Sequence, residues 1–354
     1  LPTGDFDLKD NPTTQLRVGV KQAFPRGNTR HFQSLKRSDN ALAEQRRTLL
    51  TRQQILRAVR LYYLEAFYQQ KSVGILKENR ALFVRLLKNS EDTYRVGISR
   101  QQAVLQAQLE LSRLDDQIYR TKNNRDSNLS QLSKWVPAVM NRPLAKHLPA
   151  LSVIDDKALT DANLIYHPVI AIDDANVQAA KHDINIAEQQ YKPGWNVGVE
   201  YRKRFGDQLT GERRDDLLAA MLSMDLPIFT DKRQDKRLLA SQHHYQAEKS
   251  LRDEHLRDLA KQLKQVGHDW AYLKQRELGF KNSLLPNAIE NTKAAIRAYQ
   301  SGVIEFSTLM EAHSVELKTR LENWRVRVDR SKAHARLLFL VAPTDNSNKE
   351  VHGE

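Results

Sequence analysis

The chain has 354 residues and a formal net charge of +13; 28% of its residues are charged, and it contains 13 glycines, 11 prolines and no cysteine. Few helix breakers and many charges favour long solvated helices over a thick globular core, and no run of about 18 apolar residues predicts a transmembrane helix, which leaves a soluble protein or a membrane β-barrel. The lack of cysteine excludes disulfides, thiolate metal sites and cysteine nucleophiles, and basic residues scattered among 43 acidic ones argue against nucleic-acid binding.

The first predicted element is a β-strand that ends at Pro25. Its residues alternate between an apolar side with Leu16, Val18, Val20 and Phe24 and a second side with Arg17, Gly19 and Lys21. A period of two residues with one apolar side is typical of a half-buried strand.

A very long helical pattern follows, from about residue 28 to about residue 93. Its apolar residues recur at short helical intervals, at Ile55, Val59, Tyr62, Ala66, Val73 and Leu76. Such a narrow seam is typical of helices packed side by side at small crossing angles, and 66 residues of helix span on the order of 100 Å. Tyr94 and Gly97 then mark a turn in which the glycine supplies a left-handed conformation, and a shorter helix follows.

The middle of the chain changes character twice. The segment 137–167 is rich in proline and interrupts the helical periodicity, and a helix is predicted over 168–192. Two strands follow, separated by a polar loop: the first alternates Trp195, Val197, Val199 and Tyr201 with Asn196, Gly198, Glu200 and Arg202, and the second carries Leu218, Ala220, Leu222, Met224 and Leu226 on one face. Strands of about ten residues with aromatic side chains near their ends match tilted transmembrane strands. The alternative is an ordinary antiparallel sheet that covers a helix end.

A second long helix is predicted from about residue 231 to about residue 298, followed by a turn with Tyr299 and Gly302 and by another shorter helix. The same coiled-coil spacing is present in both helices, at Leu256, Leu259, Leu263, Val266, Trp270 and Leu273 and at Leu317, Leu321, Trp324, Val328, Ala335 and Leu338. Strand, long helix, glycine turn and helix therefore occur twice in the same order, which indicates an internal duplication.

The duplication also predicts what the first copy lacks. The strand from Trp195 to Arg204 has no counterpart ahead of residue 16, so we expect the equivalent of about residues 165–200, and any leader peptide, to be missing before residue 1. A hairpin this small is not stable alone. Its unpaired edges need other chains to close them, so the strands predict an oligomer.

No catalytic motif accompanies these elements. The sequence has no glycine-rich phosphate loop after a strand, no GxSxG and no HExxH. The 11 histidines are scattered, and the adjacent His243 and His244 point to different faces of a helix. We therefore expect neither an enzyme nor a cofactor or metal site.

Five segments of the sequence resemble the TolC-like outer-membrane factor family: LRVGVKQAFPRGNTR, YRVGISRQQAVLQAQLELSRLDDQ, YKPGWNVGVEYRKR, LPIFTDKRQDKR and AYQSGVIEFSTLMEAHSVEL. The resemblance extends from about Leu16 to Val341. It implies a mainly α fold with a small β part, in which long coiled-coil helical hairpins form a trimeric α-barrel and each chain contributes strands to a shared transmembrane β-barrel. The predicted segments are a loop and barrel strand (1–27), a long helical hairpin (28–136, tip at 94–99), an equatorial linker (137–167), a helix (168–192), a β-barrel hairpin (193–228), a second long helical hairpin (229–341, tip at 299–305) and a C-terminal tail (342–354).

The resemblance also assigns site residues. In the family the two glycine turns are periplasmic tips that meet an adaptor protein; the matching residues are Arg95, Val96, Gly97, Ile98 and Ser99 in one tip and Ser301, Gly302, Val303, Ile304 and Glu305 in the other. The residues matched to a pore constriction are Tyr299, Phe306, Thr308 and Glu311. Three copies of Glu311 form an acidic ring that favours cations and binds divalent metal ions, unless Glu311 is an ordinary surface glutamate. In the best-known family member, a set of polar residues holds the channel in its closed state. This latch is not expected here, because Ala103 and Ile304 replace two of those residues.

The implied function is a passive exit duct. The resemblance predicts a homotrimer in contact with outer-membrane lipid of a Gram-negative bacterium, extending into the periplasm and conducting small molecules or metal ions to the exterior. Its expected partners are a periplasmic adaptor (membrane-fusion) protein and an inner-membrane pump of the resistance-nodulation-division type. Two alternatives remain open: the exit duct of a type I protein-secretion system, and a soluble coiled-coil scaffold without a membrane role.

Overall fold

A computed structural model of the chain describes residues 14–97, 100–141, 143–154, 159–208 and 210–341. The chain divides into two compact units: unit 1 comprises Leu1–Arg47 and Val169–Glu254, and unit 2 comprises Thr48–Pro168 and His255–Glu354. The expected class, mainly α with one small sheet, is confirmed. The predicted tail at 342–354 lies outside the described residues, and the division into seven functional segments stays a prediction.

Three strands and six α-helices make up most of the regular structure of the described residues. The strands are β1 (Gln15–Phe24), β2 (Gly194–Arg204) and β3 (Leu217–Asp225). The helices are α1 (Thr29–Arg95), α2 (Gln101–Ser133), α3 (Pro168–Gln189), α4 (Gln234–Gly279), α5 (Leu285–Gln300) and α6 (Phe306–Leu340). None of the described helices combines the length and the apolar composition that crossing a membrane requires.

Unit 1 contains the sheet. Its strand order is β1-β2-β3, with both neighbouring pairs antiparallel. In the register, Val199 of β2 lies opposite Val20 of β1 and Ala220 of β3. Within the described residues, β1 and β3 each pair along one side only, so both edges of the sheet offer free hydrogen-bonding groups.

Helix α3 supplies the buried core of unit 1 and is tied to two other helices by ion pairs. Its buried apolar residues include Ile170, Ile172, Ala175, Ala179, Ala180 and Ala187. Asp183 accepts from Lys36 of α1 at 2.6 Å, and His182 lies 3.2 Å from Asp39. On its other side Asp174 accepts from Arg252 of α4 at 2.6 Å. These charged contacts fix α3 against the parts of α1 and α4 that belong to unit 1.

Unit 2 is built on seams between helices. Along α1 the buried residues Ala66, Val73, Leu76 and Phe83 are separated by seven, three and seven positions, the repeat of helices that pack at small crossing angles. One core cluster joins α1, α2 and α6 through Leu76, Phe83, Ala107, Leu114, Ile118, Phe306, Met310 and Leu317. A second cluster joins α1 and α6 through Leu64, Phe67 and Val328, with Trp324 packed against it.

The second long helix is interrupted where the sequence pattern predicted continuity. Between α4 and α5, residues Phe280–Leu284 form a single π-helical turn. Pro286 follows directly, at the first positions of α5. Proline has no backbone N–H and its ring clashes with the carbonyl one turn earlier, and a wider turn relieves both conflicts without ending the helix.

His167 is a buried titratable group at the start of α3. It is 2% exposed, its Nε2 lies 3.3 Å from the Phe339 carbonyl oxygen, and the Phe339 ring packs against it at 5.3 Å. Burial lowers the pKa of His167 from 6.5 to about 4; the Phe339 carbonyl opposes this shift and the Arg57 charge adds to it.

Because the pKa of His167 is lower in the folded state, the imidazole of the unfolded chain is protonated before that of the folded chain as the pH falls. The stabilisation from a neutral His167 is therefore complete above pH 6.5 and is lost as the pH falls towards 4, up to about 3 kcal/mol. We expect the Tm of the protein to fall between pH 7 and pH 5, and to fall less in His167→Gln, which cannot titrate. Equal pH dependence of Tm in the two proteins would contradict this assignment.

Candidate functional site

One face of the sheet is apolar across all three strands. The register aligns its residues in rows: Leu16, Val18, Val20 and Phe24 of β1, Trp195, Val197, Val199 and Tyr201 of β2, and Leu218, Ala220, Leu222 and Met224 of β3. Trp195 is 41% exposed, Val20 78% and Leu218 77%, so no other described segment covers this face. A contiguous apolar surface of this kind marks a site of contact with lipid or with another protein.

Aromatic side chains lie near both ends of this apolar face. Trp195 is opposite Phe24 at one end, and Tyr201 lies near the other end. Beyond Tyr201, on the same side of the strand, the Lys203 ammonium lies 5.9 Å from the centre of the Phe205 ring. Aromatic residues that flank an apolar band are characteristic of strands whose ends lie at the two membrane interfaces.

The opposite face of the sheet carries charge. Its charged residues are Arg17, Lys21, Glu200, Arg202, Arg204 and Asp225. Glu200 lies between two arginines, accepting from Arg202 Nε at 2.7 Å and lying 3.8 Å from Arg17 Nε. Leu217, Ala219 and Met221 of β3 lie on the same face, so it is mixed towards that edge. The sheet therefore has one apolar face and one largely charged face.

The two glycine turns have the geometry that the sequence predicted. Gly97 has φ +75° and Gly302 has φ +74°. The Gly97 N–H donates to the Tyr94 carbonyl at 2.9 Å, and the Gly302 N–H donates to the Tyr299 carbonyl at 3.0 Å. After α5 the Val303 N–H also donates to the Ala298 carbonyl at 2.9 Å, which completes a Schellman motif.

The two turns, about 200 residues apart in sequence, lie side by side in unit 2. Residues that flank the first turn and residues in and around the second line a common cavity of about 600 Å³; they include Asn89, Thr93, Arg100, Gln106, Tyr299, Gln300, Gly302, Glu305 and Ser307. Of the predicted tip residues, Val96 and Val303 are exposed apolar side chains, 68% and 75%. Ile98 and Ser99 lie outside the described residues.

The four residues predicted for a constriction have different environments. Phe306 is 6% exposed and belongs to the core of α1, α2 and α6, and Tyr299 packs against it with ring centres 5.9 Å apart. Thr308 and Glu311 lie on the exposed side of α6. Phe306 is therefore a packing residue within this chain, whereas Thr308 and Glu311 are available to a neighbouring copy or to solvent. Their assignment to a pore constriction stays a prediction.

Sequence reasoning missed two features of these sites. Arg100 and Gln106 line the cavity between the turns, and no local pattern marks them. The concentration of cations on one face of the sheet could have been predicted from the alternation of side chains along the strands. Every second residue shares a face, and the cations on that face are Arg17, Lys21, Arg202 and Arg204. In the part of the chain that the structure describes, no group of His, Asp and Glu side chains converges to hold a metal ion.

Replacing Gly302 by alanine is expected to destabilise unit 2. Around Gly302 there is open space for a methyl group, so the penalty is the left-handed backbone alone, about 1–2 kcal/mol. Gly74, in the middle of α1, likewise has open space for a methyl group but has a helical backbone, so Gly74→Ala should stabilise by about 0.5–1 kcal/mol. Thermal unfolding of the two variants should shift Tm in opposite directions; a raised Tm for Gly302→Ala would contradict the role of the turn.

The fold resembles those of solved membrane proteins, including outer-membrane ones. A membrane protein from Pseudomonas aeruginosa matches with a TM-score of 0.81 and 13% identity, over 92% of this chain and 80% of that one. The outer membrane protein VceC from Vibrio cholerae matches with a TM-score of 0.78 and 15% identity, over 92% and 79%. The CmeC outer membrane channel of Campylobacter jejuni matches with a TM-score of 0.76 and 12% identity, over 95% and 74%.

At 12–15% identity these matches establish the fold, and the TolC-like fold predicted from the sequence is confirmed. No family model and no curated protein matches the sequence.

Proposed function

We propose that this chain is one protomer of a trimeric outer-membrane channel that serves as the passive exit duct of an efflux pump in a Gram-negative bacterium. The sheet carries the proposal. Its exposed apolar face suits contact with lipid, its charged face suits contact with water, and its two open edges suit closure by further strands into a barrel. The likeness to solved outer-membrane proteins supports the same assignment.

The helical turns support a docking role at the periplasmic end. The apolar side chains of Val96 and Val303 are exposed in the two turns, and a cavity of about 600 Å³ lies between residues at and beside the turns. Such a surface is suited to contact with an adaptor protein. In this proposal the chain is a conduit without enzymatic activity. An inner-membrane pump of the resistance-nodulation-division type supplies the energy for export.

The test is made on the full-length protein expressed in a Gram-negative host. Separation of the membranes on a density gradient should place the protein in the outer-membrane fraction, and detergent-purified trimers should form ion-conducting pores in planar lipid bilayers. A protein that is monomeric, soluble without detergent and unable to conduct would instead be a coiled-coil scaffold. Copurification with an ATP-driven protein exporter would favour the type I secretion duct.

The predicted acidic ring has its own test. Glu311 lies on the exposed side of α6. Three copies that face one pore should bind divalent cations, and the bound cations should lower the conductance of the channel. We expect Glu311→Gln to weaken block by divalent cations severalfold, because the ring loses its charge. Glu290→Gln, which changes an exposed glutamate on α5 paired with Lys293 at 2.8 Å, is the matched control. Unchanged block in Glu311→Gln would remove Glu311 from the constriction.

A further inference from the structure

The charged face of the sheet has an excess of positive charge. It carries the four cations Arg17, Lys21, Arg202 and Arg204 and the two carboxylates Glu200 and Asp225, an excess of two positive charges per chain. Three copies would bring six excess positive charges to one barrel interior. The apolar face, by comparison, carries one cation, Lys203, beyond Tyr201.

Glu200 is already paired with two nearby arginines, and Asp225 lies near a further one. Glu200 contacts Arg202 at 2.7 Å and Arg17 at 3.8 Å, so two cations share one carboxylate. At the other end of the sheet, a methyl group on Gly194 would lie 3.2 Å from Arg26 Cγ and 3.7 Å from Asp225 Oδ2, which places the Arg26 side chain beside Asp225. The charge of Glu200 is therefore compensated, and Arg26 adds a further cation near Asp225.

Two of the cations have no carboxylate partner among the described residues. The Arg204 Nε donates to the backbone carbonyl of Asp215 at 2.8 Å, and the Asp216 carboxylate accepts from the Arg204 backbone N–H at 3.3 Å rather than from the guanidinium. Lys21 lies beside Gly198: a methyl group added to that glycine would be 3.9 Å from Lys21 Cγ. The Lys21 ammonium forms no ion pair with any described residue. Lys21 and Arg204 are near opposite ends of the charged face, so the excess charge is distributed along it.

We infer that the barrel segment of this duct prefers anions, and that Lys21 and Arg204 are the residues that set the preference. The inference rests on the proposed function, since only a closed barrel turns the charged face into a pore wall. Rings of arginine and lysine attract anions into a pore and exclude small cations. The effect reaches about 10 Å from the wall at 0.1 M salt and about 3 Å at 1 M, so it is strong only at low ionic strength. Solutes that carry carboxylate, phosphate or sulfate groups are the class that this exit would favour.

The inference is tested by measuring the reversal potential of single channels in planar bilayers under a KCl gradient. The dilute solution contains about 0.1 M KCl, so that charges on the pore wall are not fully screened. Because a ring of Glu311 would itself favour cations, the parent protein for this test carries Glu311→Gln. It should show a reversal potential of the sign for chloride preference, and the preference should shrink in molar salt. The double variant Lys21→Gln/Arg204→Gln should shift the reversal potential towards that of potassium. Lys203→Gln is the matched control: it removes a cation next to Arg204 but on the apolar face, and it should leave the reversal potential unchanged.

Three outcomes overturn the inference. A Glu311→Gln channel that prefers potassium at low salt contradicts it, and so does a double variant, made in that parent, that conducts with the parent's reversal potential. An equal shift in Lys203→Gln would show that overall charge, and not the pore wall, sets the preference. Failure of the wild-type and all variants to conduct would refute the proposed function itself, which the inference requires.

Discussion

Replacing Val197 by arginine should prevent the chain from accumulating as an outer-membrane trimer. Val197 lies in the middle of the apolar face, opposite Gln22 of β1 and Leu222 of β3, and is 42% exposed. An arginine on the lipid side of a membrane strand costs about 2–4 kcal/mol near the middle of the bilayer. Three copies per barrel multiply that cost, so the amount of trimer in isolated outer membranes should fall to near zero.

The control for Val197 is its neighbour. Asn196 is on the charged face of the same strand, so Asn196→Arg places the same side chain one residue away, on the face that the proposed barrel turns towards water. We expect it to assemble in near-normal amounts. Equal loss of trimer in both variants would mean that the two faces of the sheet are not in different environments, and equal tolerance would argue against a lipid-facing surface.

Removing the Glu65 carboxylate should have the largest effect on the stability of unit 2. Glu65 of α1 accepts from Arg325 of α6 with both oxygens at 2.9 Å and also accepts from Lys332. The Glu65 and Lys332 side chains are only 18% and 14% exposed. In Glu65→Ala the largely buried Lys332 loses its carboxylate acceptor, and Arg325 keeps only Asp329. We expect a loss of about 3 kcal/mol in the free energy of unfolding.

The control is an exposed ion pair of the same type. Glu290→Ala breaks the contact with Lys293 on the surface of α5 and should leave Tm nearly unchanged. Thermal unfolding of both variants decides the matter. A Tm for Glu65→Ala as high as that of Glu290→Ala would show that the Glu65 network contributes nothing to stability.

The Glu65 network also predicts acid sensitivity. Burial by itself would raise the pKa of Glu65, but the hydrogen bond from Lys332 and the charges of Lys332 and Arg325 outweigh it and hold the pKa below the ordinary value of 4.5. A depressed carboxyl pKa stabilises the fold above pH 4.5, and this stabilisation disappears as the pH falls through the folded-state pKa. Glu65→Gln should therefore remove part of the stability difference between pH 6 and pH 3.

The sequence determines those parts of the fold that depend on short-range chemistry. Alternation around Val197 and Val199 requires a strand with two different faces, and a left-handed residue at Gly97 and Gly302 requires a glycine at the end of a helix. Both features need only neighbouring residues, so they could be predicted with their correct places in the chain. The TolC-like fold was predicted from the resemblance of five segments to that family, together with their order and duplication.

Other features depend on residues that are distant in the chain. Glu65 looks like a solvated charge in a helix, because its partners Arg325 and Lys332 are about 260 residues away. Phe306 is predicted for a constriction from its position after Gly302, and that assignment stays a prediction; its burial against α1 and α2 within this chain has no local signal. No periodicity reveals which helix face a distant segment will cover, so burial of these side chains could not be predicted.

Helix continuity failed for a different reason. The apolar spacing of the second long helix continues past Pro286, and periodicity alone predicts an unbroken helix. In the structure a π-helical turn at Phe280–Leu284 precedes the proline and accommodates it. Such a turn keeps the helix direction while changing its hydrogen bonds, which leaves little trace in the pattern of apolar residues.

The central claim is that one face of β2 contacts lipid and the other contacts water. Because the chain has no cysteine, a single cysteine can be placed at each position from 195 to 204 and labelled with a nitroxide without background. In trimers reconstituted into lipid bilayers, labels at odd-numbered positions such as 197 and 199 should collide mainly with oxygen dissolved in the lipid. Labels at even-numbered positions such as 196 and 198 should collide mainly with a water-soluble nickel complex. The account predicts this alternation with a period of two; uniform access of the nickel complex along the whole strand would contradict it.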